Sequence, residues 1–286
     1  MGYVYKENFK MPISSLQPLP LCDIHVHVGC FKDGLYFSPD DIVEDMKALG
    51  VELWAFSSTS TGNVPFAFVR KEIERVLEQS NGAALPFLWV SPGMLKRSRD
   101  LKPYFFREFQ GLKIHGLQGW EPDGKYLRRI FSIALERNLP IMLHTGGNPC
   151  CDAWSYRNVC LEFPSLPIIL AHGRPVEQAI MVMKECPNVY ADTAFMPIKD
   201  ILQLKENDLI SRTLFGSDFP ITQCFFKTPR RKYYRRRLQA IRAALGIESF
   251  YRITSQNPQY FFGEKDNGTA PSVPCQATDS FDPLAT

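Results

Sequence analysis

Polar and apolar residues alternate in the stretch Leu21–Gly29, which reads L-C-D-I-H-V-H-V-G. Successive side chains of a β-strand point to opposite faces, so the pattern predicts a strand with Asp23, His25 and His27 on one face. Two imidazoles two residues apart on one strand face can both reach one metal ion. A pair of hydrogen-bonded core histidines is the alternative, although a core strand ordinarily has Val, Ile or Phe at such positions.

Eight short apolar runs, this stretch included, alternate along the chain with segments of mostly helical character. The runs lie at Leu21–Val28, Val51–Ser57, Leu85–Val90, Gly111–Gly116, Pro140–His144, Pro167–His172 and Asn188–Thr193, and within Leu209–Ser217. Strands separated by helices form a parallel sheet, and eight of them predict a closed (β/α)8 TIM barrel of the α/β class.

Helices between the strands are predicted from capping residues and from apolar positions at helical spacing. The first begins at Ser38-Pro39 and ends at Gly50. The others are predicted at Pro65–Gln79, Ser98–Phe109, Asp123–Asn138, weakly within 150–163, Pro175–Cys186, about 229–244 and Glu248–Phe262.

The two ends of the 286-residue chain differ in composition from the rest. Residues 1–20 contain Pro12, Pro18 and Pro20 and predict an N-terminal arm over the barrel surface. Residues 264–286 contain little apolar material and predict a flexible tail. We therefore expect a single barrel domain over residues 21–263, because a (β/α)8 barrel needs roughly 250 residues.

Composition favours a globular protein of the cytoplasm that does not associate with membranes. Hydrophobic residues make up 45% of the chain and charged residues 22%, which suits a large buried core. The longest apolar runs are far short of the roughly 20 residues needed to cross a bilayer, and the first residues form no apolar secretory signal. The 8 cysteines show no zinc-finger or disulfide spacing, so we expect reduced thiols, including the adjacent Cys150 and Cys151.

Charge indicates no particular macromolecular partner. The formal net charge is +3, and the basic residues concentrate in the stretch 229–237, P-R-R-K-Y-Y-R-R-R. This stretch fits a solvated helix face, a subunit contact of a homodimer, the rim of an anionic-substrate site, or a patch for phosphate or nucleic acid. No nucleic-acid-binding motif accompanies it, so we expect a small-molecule substrate and no nucleic-acid partner.

Histidine placement is the strongest chemical signal in the chain. All 5 histidines lie near the C-terminal ends of predicted strands, at His25, His27, His115, His144 and His172. In a (β/α)8 barrel these ends converge on one pocket. Asp218 follows the eighth strand and Lys113 precedes His115 by two residues, so both join the cluster.

Neutral imidazoles with a carboxylate are ligands for Zn²⁺ or a similar divalent ion such as Mn²⁺. A bound ion lowers the pKa of its water toward about 7. An adjacent Asp can take up and return the proton. The residues at the strand ends therefore predict metal-assisted chemistry on a small substrate.

The segments D-I-H-V-H, G-L-K-I-H-G, I-M-L-H-T-G, I-I-L-A-H-G and L-F-G-S-D-F-P resemble, in this order, the amidohydrolase superfamily. They are most similar to its branch of metal-dependent TIM-barrel hydrolases called amidohydrolase 2, or amidohydrolase-related. The similarity spans residues 21 to about 263, and Asn257-Pro258 with Phe261-Phe262-Gly263 resembles the ending of that branch.

The resemblance implies a role for each matching residue. His25, His27 and His144 would be metal ligands, and Asp218 a ligand or the proton shuttle. His172 would bind a second ion or polarise the substrate. Lys113 would be either a carbamylated ligand that bridges two ions or an unmodified lysine that binds an anionic substrate group. One or two ions per chain follow from these alternatives.

Four further residues are predicted to contact the substrate. His115 is expected beside the metal ligands or the substrate. Arg174 stands where many relatives have a second Gly after A-H-G, and indicates an anionic substrate or only a loop arginine. Trp154 and Phe219 lie in the loops after the fifth and eighth strands, which are expected to form the pocket rim.

Two enzyme classes and one alternative follow from these residues. The leading function is hydrolysis of an amide, ester or lactone in a small, anionic substrate. The alternative enzyme is a metal-dependent decarboxylase or hydratase, because this branch resembles lyases as well as hydrolases. A barrel that has lost activity and only binds a ligand is the third, although the full ligand set argues against it.

Overall fold

The structure is a computed structural model, which describes residues 20–226 and 228–262. Apart from Pro20, the predicted N-terminal arm lies outside these residues, as does the predicted tail. No helix in the described part of the chain is both long enough and apolar enough to span a membrane.

The strands form one nine-stranded sheet in which only one neighbouring pair is antiparallel. The strands are β1 (Leu21–Cys30), β2 (Tyr36–Phe37), β3 (Val51–Ser58), β4 (Ala84–Val90), β5 (Gly111–Ile114), β6 (Ile141–His144), β7 (Ile168–Ala171), β8 (Val189–Asp192) and β9 (Thr213–Leu214). Their order is β2-β1-β3-β4-β5-β6-β7-β8-β9, and β2 is antiparallel to β1.

The eight parallel strands close on themselves. The N–H of Ile24 donates to the carbonyl of Phe215 at 3.0 Å, and that of His27 donates to the carbonyl of Phe219 at 2.7 Å. These bonds join β1 to the segment that follows β9. The predicted TIM barrel is therefore confirmed.

Ten α-helices connect or flank the strands in the described residues. They are α1 (Pro39–Leu49), α2 (Phe66–Ser80), α3 (Pro92–Arg97), α4 (Lys125–Glu136), α5 (Arg157–Glu162), α6 (Val176–Glu185), α7 (Ile198–Glu206), α8 (Arg230–Leu245), α9 (Ile247–Tyr251) and α10 (Asn257–Phe262). A π-helical turn, Arg252–Gln256, joins the last two.

Two helix predictions need correction. The predicted helix Ser98–Phe109 is wrong: α3 ends at Arg97, and only a 3₁₀ turn, Lys102–Tyr104, follows. Pro103 has no N–H to donate within a helix, and it disfavours helical backbone at Lys102. Conversely, α7 was not predicted, because only Ile201 and Leu204 of that helix are buried and the apolar signal is weak.

The core has two layers. Inside the barrel, side chains from seven strands form one cluster, made of Ile24, Ala55, Phe87, Met142, Ile169, Ala171, Tyr190 and Leu214. A larger cluster, which includes Val26, Val28 and the apolar faces of the helices, fills the space outside the strands. On three strands a residue of this interior cluster precedes a histidine: Ile24 precedes His25, Met142 precedes His144, and Ala171 precedes His172.

Strand β1 departs from simple alternation. Its register against β3 shifts between Asp23 and Val26. Ile24 therefore joins the barrel interior, while the buried carboxylate of Asp23 accepts hydrogen bonds from the hydroxyl of Ser217 at 2.6 Å and its N–H at 3.1 Å. The prediction that Asp23 shares a face with His25 and His27 is wrong. The register shift between Asp23 and Val26 interrupts the alternation, so Asp23 no longer points to the same side of the strand as the two histidines.

The basic stretch 229–237 is built into the fold. Arg230 and Arg231 both pair with the buried carboxylate of Asp45 in α1. Arg235 donates to the carbonyl of Ala48, and Arg237 donates to the carbonyls of Thr193 and Met196. Four of the five arginines in the stretch thus fasten α8 to neighbouring elements. Their structural role accounts for most of its charge.

Candidate active site

The C-terminal ends of the strands open into a cavity of about 820 Å³. The cavity contains the predicted site residues His25, His27, Lys113, His115, His144, His172, Arg174 and Asp218. The rest of its lining is largely aromatic and aliphatic: Phe31, Trp89, Leu117, Phe195, Ile221, Phe225 and Phe226. All five histidines therefore meet in one place, as predicted.

Asp218 lies closest to the two imidazoles of β1. Its Oδ1 is 2.8 Å from Nε2 of His27 and 3.3 Å from Nε2 of His25. All three side chains are buried, and one ligand atom from each lies within 4.8 Å of the others. Two imidazole nitrogens and a carboxylate oxygen are the donors that a divalent transition metal prefers, so this set fits an ion.

The backbone is held in unusual conformations around this set. Asp218 has φ of 56° and His172 has φ of 71°, which non-glycine residues adopt rarely and at a cost of about 1–3 kcal/mol. Gly216 precedes Asp218 by two residues, and a Cβ there would lie 2.9 Å from Cβ of His25. The turn G-S-D thus passes too close to β1 for any side chain at Gly216.

Asp192, at the end of β8, joins the site without having been predicted. Its Oδ2 is 2.8 Å from Nδ1 of His25, and its Oδ1 accepts the N–H of His172 at 2.8 Å. Asp192, His25 and His172 form a second group able to hold a metal ion. The available signal was its position in V-Y-A-D, at a strand end like the histidines.

Other hydrogen bonds orient the imidazoles of His27 and His172. Nδ1 of His27 is 3.3 Å from the carbonyl of Ser57, and Nδ1 of His172 is 3.1 Å from the carbonyl of Ala194. A proton on each Nδ1 satisfies these carbonyls and leaves each Nε2 as an acceptor atom, which in His172 lies 3.1 Å from Nδ1 of His144. Such outer partners orient imidazole ligands and raise their basicity.

Replacing Asp192 tests this outer support. We expect Asp192→Asn to weaken metal binding by about 10–100-fold, because the neutral amide no longer supports His25. The measurement is the metal Kd from competition with a chromophoric chelator. Asp200→Asn, in α7 outside the cavity, is the control and should leave the Kd unchanged. An unchanged Kd in Asp192→Asn would remove the outer support from this account.

Asp218 is the ionised carboxylate of the cavity. Burial alone raises its pKa, but the imidazoles of His25, His27 and His172 bring the pKa of Asp218 well below its usual range. Burial also lowers the pKa of His27 and takes that of His172 well below its ordinary value. A carboxylate beside neutral imidazoles is the protonation state that a divalent cation requires.

Lys113, in β5, is buried and lines the cavity. Its Nζ lies 3.0 Å from Nε2 of His25, and burial lowers the pKa of its amine to about 8. A cationic amine in this place can bind an anionic group, and a neutral amine is the form that can be carbamylated. Both predicted roles of Lys113 remain predictions.

Three flat rings line one wall. His115 stacks between Trp89, at 5.7 Å, and His144, at 3.8 Å between ring centroids. Burial lowers the pKa of His115 to about 3 and that of His144 to about 2, so both rings are neutral. Nδ1 of His144 lies 3.1 Å from Nε2 of His172, a member of the second metal-binding group, but His144 itself belongs to neither group. Its role as a ligand stays a prediction.

The predicted substrate contacts divide into two pairs. Arg174 and His115 line the cavity, and each has a buried nitrogen, Nε and Nδ1 respectively, without a hydrogen-bond partner in the described residues. Trp154 and Phe219 do not line it. Trp154 is half-exposed with Arg157 over its ring, and Phe219 is buried edge-on against Tyr234. Loop sequence alone did not determine which aromatic side chains face inward.

Comparison with known families and structures agrees with the fold. A profile of the amidohydrolase family matches residues 22–263. No curated protein matches the chain.

Three solved structures illustrate the similarity. An Acinetobacter baumannii protein described as a probable 2-pyrone-4,6-dicarboxylic acid hydrolase, with citric acid bound, has a TM-score of 0.64 at 12% identity, covering 86% of this chain and 100% of its own. A structure of 4-oxalomesaconate hydratase from Rhodopseudomonas palustris has a TM-score of 0.57 at 17% identity, covering 85% of this chain and 95% of its own. A structure of a 2,6-dihydroxybenzoate decarboxylase has a TM-score of 0.55 at 14% identity, covering 86% of this chain and 99% of its own. At these identities the likeness concerns the fold.

Proposed function

The chain belongs to the amidohydrolase family, whose members are enzymes, and from this premise we propose that it is a metal-dependent hydrolase of small anionic substrates. The observation that supports this most is the position of Asp218, whose Oδ1 lies within 3.3 Å of both β1 imidazoles at the floor of the cavity. A purely structural carboxylate would not need two imidazoles beside it and an open cavity lined by all three residues.

His25, His27 and Asp218 would hold the ion, which we propose to be Zn²⁺ or a similar divalent metal. Such an ion supplies a water of lowered pKa and an electrophile for a substrate carbonyl. Asp218 is ionised, so it can accept a proton from the attacking water and return it to the leaving group. The amine of Lys113 and the imidazole of His172 can stabilise negative charge that develops on the substrate.

Arg174 provides the reason for proposing an anionic substrate. Its guanidinium lines the cavity, its Nε has no hydrogen-bond partner in the described part of the chain, and the described ion pairs do not include it. A buried donor without a partner is costly. A carboxylate on the substrate would satisfy it, while the flat wall of Trp89, His115 and His144 would contact an unsaturated or ring portion.

Replacing Arg174 tests the anionic substrate. We expect Arg174→Gln to raise the KM for a carboxylated lactone by roughly 10–100-fold, because a hydrogen bond to a charged group is lost. The KM for the corresponding methyl ester should hardly change. Arg107→Gln, an exposed arginine outside the cavity, is the control. An equal rise in KM for acid and ester would show that Arg174 does not recognise the carboxylate.

A lyase function is equally consistent with the family and the fold. Structures of similar fold include a protein described as a decarboxylase and one described as a hydratase, besides the pyrone hydrolase. The cavity residues serve either reaction. A screen of the metal-loaded protein against carboxylated lactones, esters, amides and ring carboxylic acids separates them. Incorporation of oxygen from labelled water into a cleaved product supports hydrolysis, and release of CO2 supports decarboxylation.

Several expectations about the protein's surroundings stay predictions from the sequence. We propose that it acts in the cytoplasm on a small molecule, without nucleic acid or membrane, either as a monomer or as a homodimer. A second ion bridged to the first by Lys113 would need this lysine in its carbamylated form, because an unmodified amine cannot bridge two ions.

A further inference from the structure

The adjacent cysteines Cys150 and Cys151 lie in the loop between β6 and α5, shortly after Gly147, which lines the cavity. They belong to a 3₁₀ turn, Pro149–Cys151, in which Cys150 is exposed and Cys151 is fully buried. Their Sγ atoms are 3.7 Å apart. Both thiols therefore face the same side of the turn, which adjacent residues in an extended strand would not do.

The turn holds the two thiols in place through its backbone. The carbonyl of Cys151 accepts the N–H of Gly146 at 2.9 Å, and the N–H of Cys151 donates to the carbonyl of Asn148 at 2.8 Å. The side chain of Asn148 also accepts the N–H of Cys150 at 3.1 Å. A Cβ at Gly116 would lie 2.5 Å from Sγ of Cys151, so this sulfur packs directly against backbone next to His115.

The sulfur geometry favours bridging by one atom over a direct disulfide. Adjacent Cα atoms are about 3.8 Å apart, below the range of about 4.4–6.8 Å usual for disulfides. By contrast, two sulfurs 3.7 Å apart that each lie about 2.3 Å from a central atom, as in metal thiolates, subtend roughly 107° there, an angle that one three- or four-coordinate atom can span.

We propose that Cys150 and Cys151 form a chelating dithiol site for a trivalent arsenical. In the reaction with an arsine oxide, two As–S bonds form and the As=O bond breaks. Both thiol protons leave with the oxygen as one water molecule, and arsenic stays trivalent, so no oxidant or reductant is needed. The product is neutral.

A soft divalent cation is the weaker occupant for the same two sulfurs. It would need further donors besides two thiolates, and neither cysteine belongs to a group of three His, Cys, Asp or Glu side chains in the described residues that could hold a metal ion. Burial also raises the pKa of Cys151 to about 12. The arsenical consumes thiols and leaves no charge on the buried sulfur. The lack of further donors and the neutral thiols together favour the arsenical over the divalent cation.

The test uses the full-length protein and phenylarsine oxide. We expect one phenylarsenic adduct per chain by intact-protein mass spectrometry, stable to excess monothiol and removed by a small dithiol. Cys150→Ser should weaken binding on the order of 10²-fold or more, because the second As–S bond is then lost. Cys151→Ser should do the same, and Cys224→Ser, which removes an exposed single thiol, should have no effect. A melting curve for each variant shows that it is folded.

Three results would overturn the proposal. The first is that wild-type protein forms no monothiol-resistant adduct. The second is that the adduct persists in folded Cys150→Ser and disappears in Cys160→Ser, which would place it on the buried thiols Cys160 and Cys186. The third is that the pair retains Cd²⁺ but does not take the arsenical. None of these outcomes depends on the reaction that the enzyme catalyses.

Discussion

Asp218→Asn is expected to lower kcat by about 10²–10⁴-fold at saturating metal. The substitution keeps the size of the side chain and removes the basic oxygen that lies 2.8 Å from Nε2 of His27. Asp218 is ionised. It is also the only carboxylate among the described residues that line the cavity, so no second carboxylate of the lining can replace it as a proton acceptor. The loss should appear in kcat and kcat/KM together, because the interaction matters most in the transition state.

Metal content separates the two roles of Asp218. If it is mainly the proton shuttle, Asp218→Asn keeps most of its metal while kcat falls. If it is mainly a ligand, metal content falls with activity and added metal restores part of it. Asp208→Asn, an exposed position, is the matched control. A kcat within a few-fold of wild type at saturating metal would remove Asp218 from the mechanism and with it much of the case for hydrolysis.

Removal of the metal is expected to lower the Tm by about 5–16 °C. A ligand present at 100–1,000 times its Kd stabilises the folded state by about 2.7–4.1 kcal/mol, and in a domain of this size each kcal/mol shifts the Tm by about 2–4 °C. The donors belong to distant parts of the sequence, so the unfolded chain cannot hold the ion in the same way. A thermal melt with and without chelator measures the shift.

A variant without the site provides the control for that melt. His27→Gln removes one imidazole of the β1 pair, so chelator should no longer change its Tm, and added Zn²⁺ should not raise it. Identical melting curves for wild-type protein with and without chelator would mean that no ion contributes to its stability.

The barrel and the meeting of the histidines could be predicted because both follow from local patterns. Apolar runs separated by helices dictate a parallel sheet, and closure brings the C-terminal ends together whatever the loop sequences are. This rule alone was enough to predict that His115, His144 and His172 lie in one cavity. The same rule places Asp192 at the cavity end of its strand. However, an Asp at a strand end is also common in turns, so the sequence did not show whether Asp192 is a site residue or a turn residue.

Other features depended on geometry that the sequence does not express locally. The register shift in β1 turned Ile24 inward and Asp23 toward Ser217, although the alternation of residue types predicted the reverse. The orientations of Trp154 and Phe219 followed from packing in their loops, where aromatic residues can point either way. The role of the basic stretch emerged only when α8 was seen against the buried carboxylate of Asp45.

The central claim is that His25, His27 and Asp218 hold a divalent ion on which activity depends. Elemental analysis of protein purified without chelator tests it most directly, with wild type and His25→Ala/His27→Ala measured side by side. We predict about one tightly held ion per wild-type chain, Zn²⁺ or a similar metal, and little in the folded double variant. Wild-type protein that is free of metal and fully active would contradict the account.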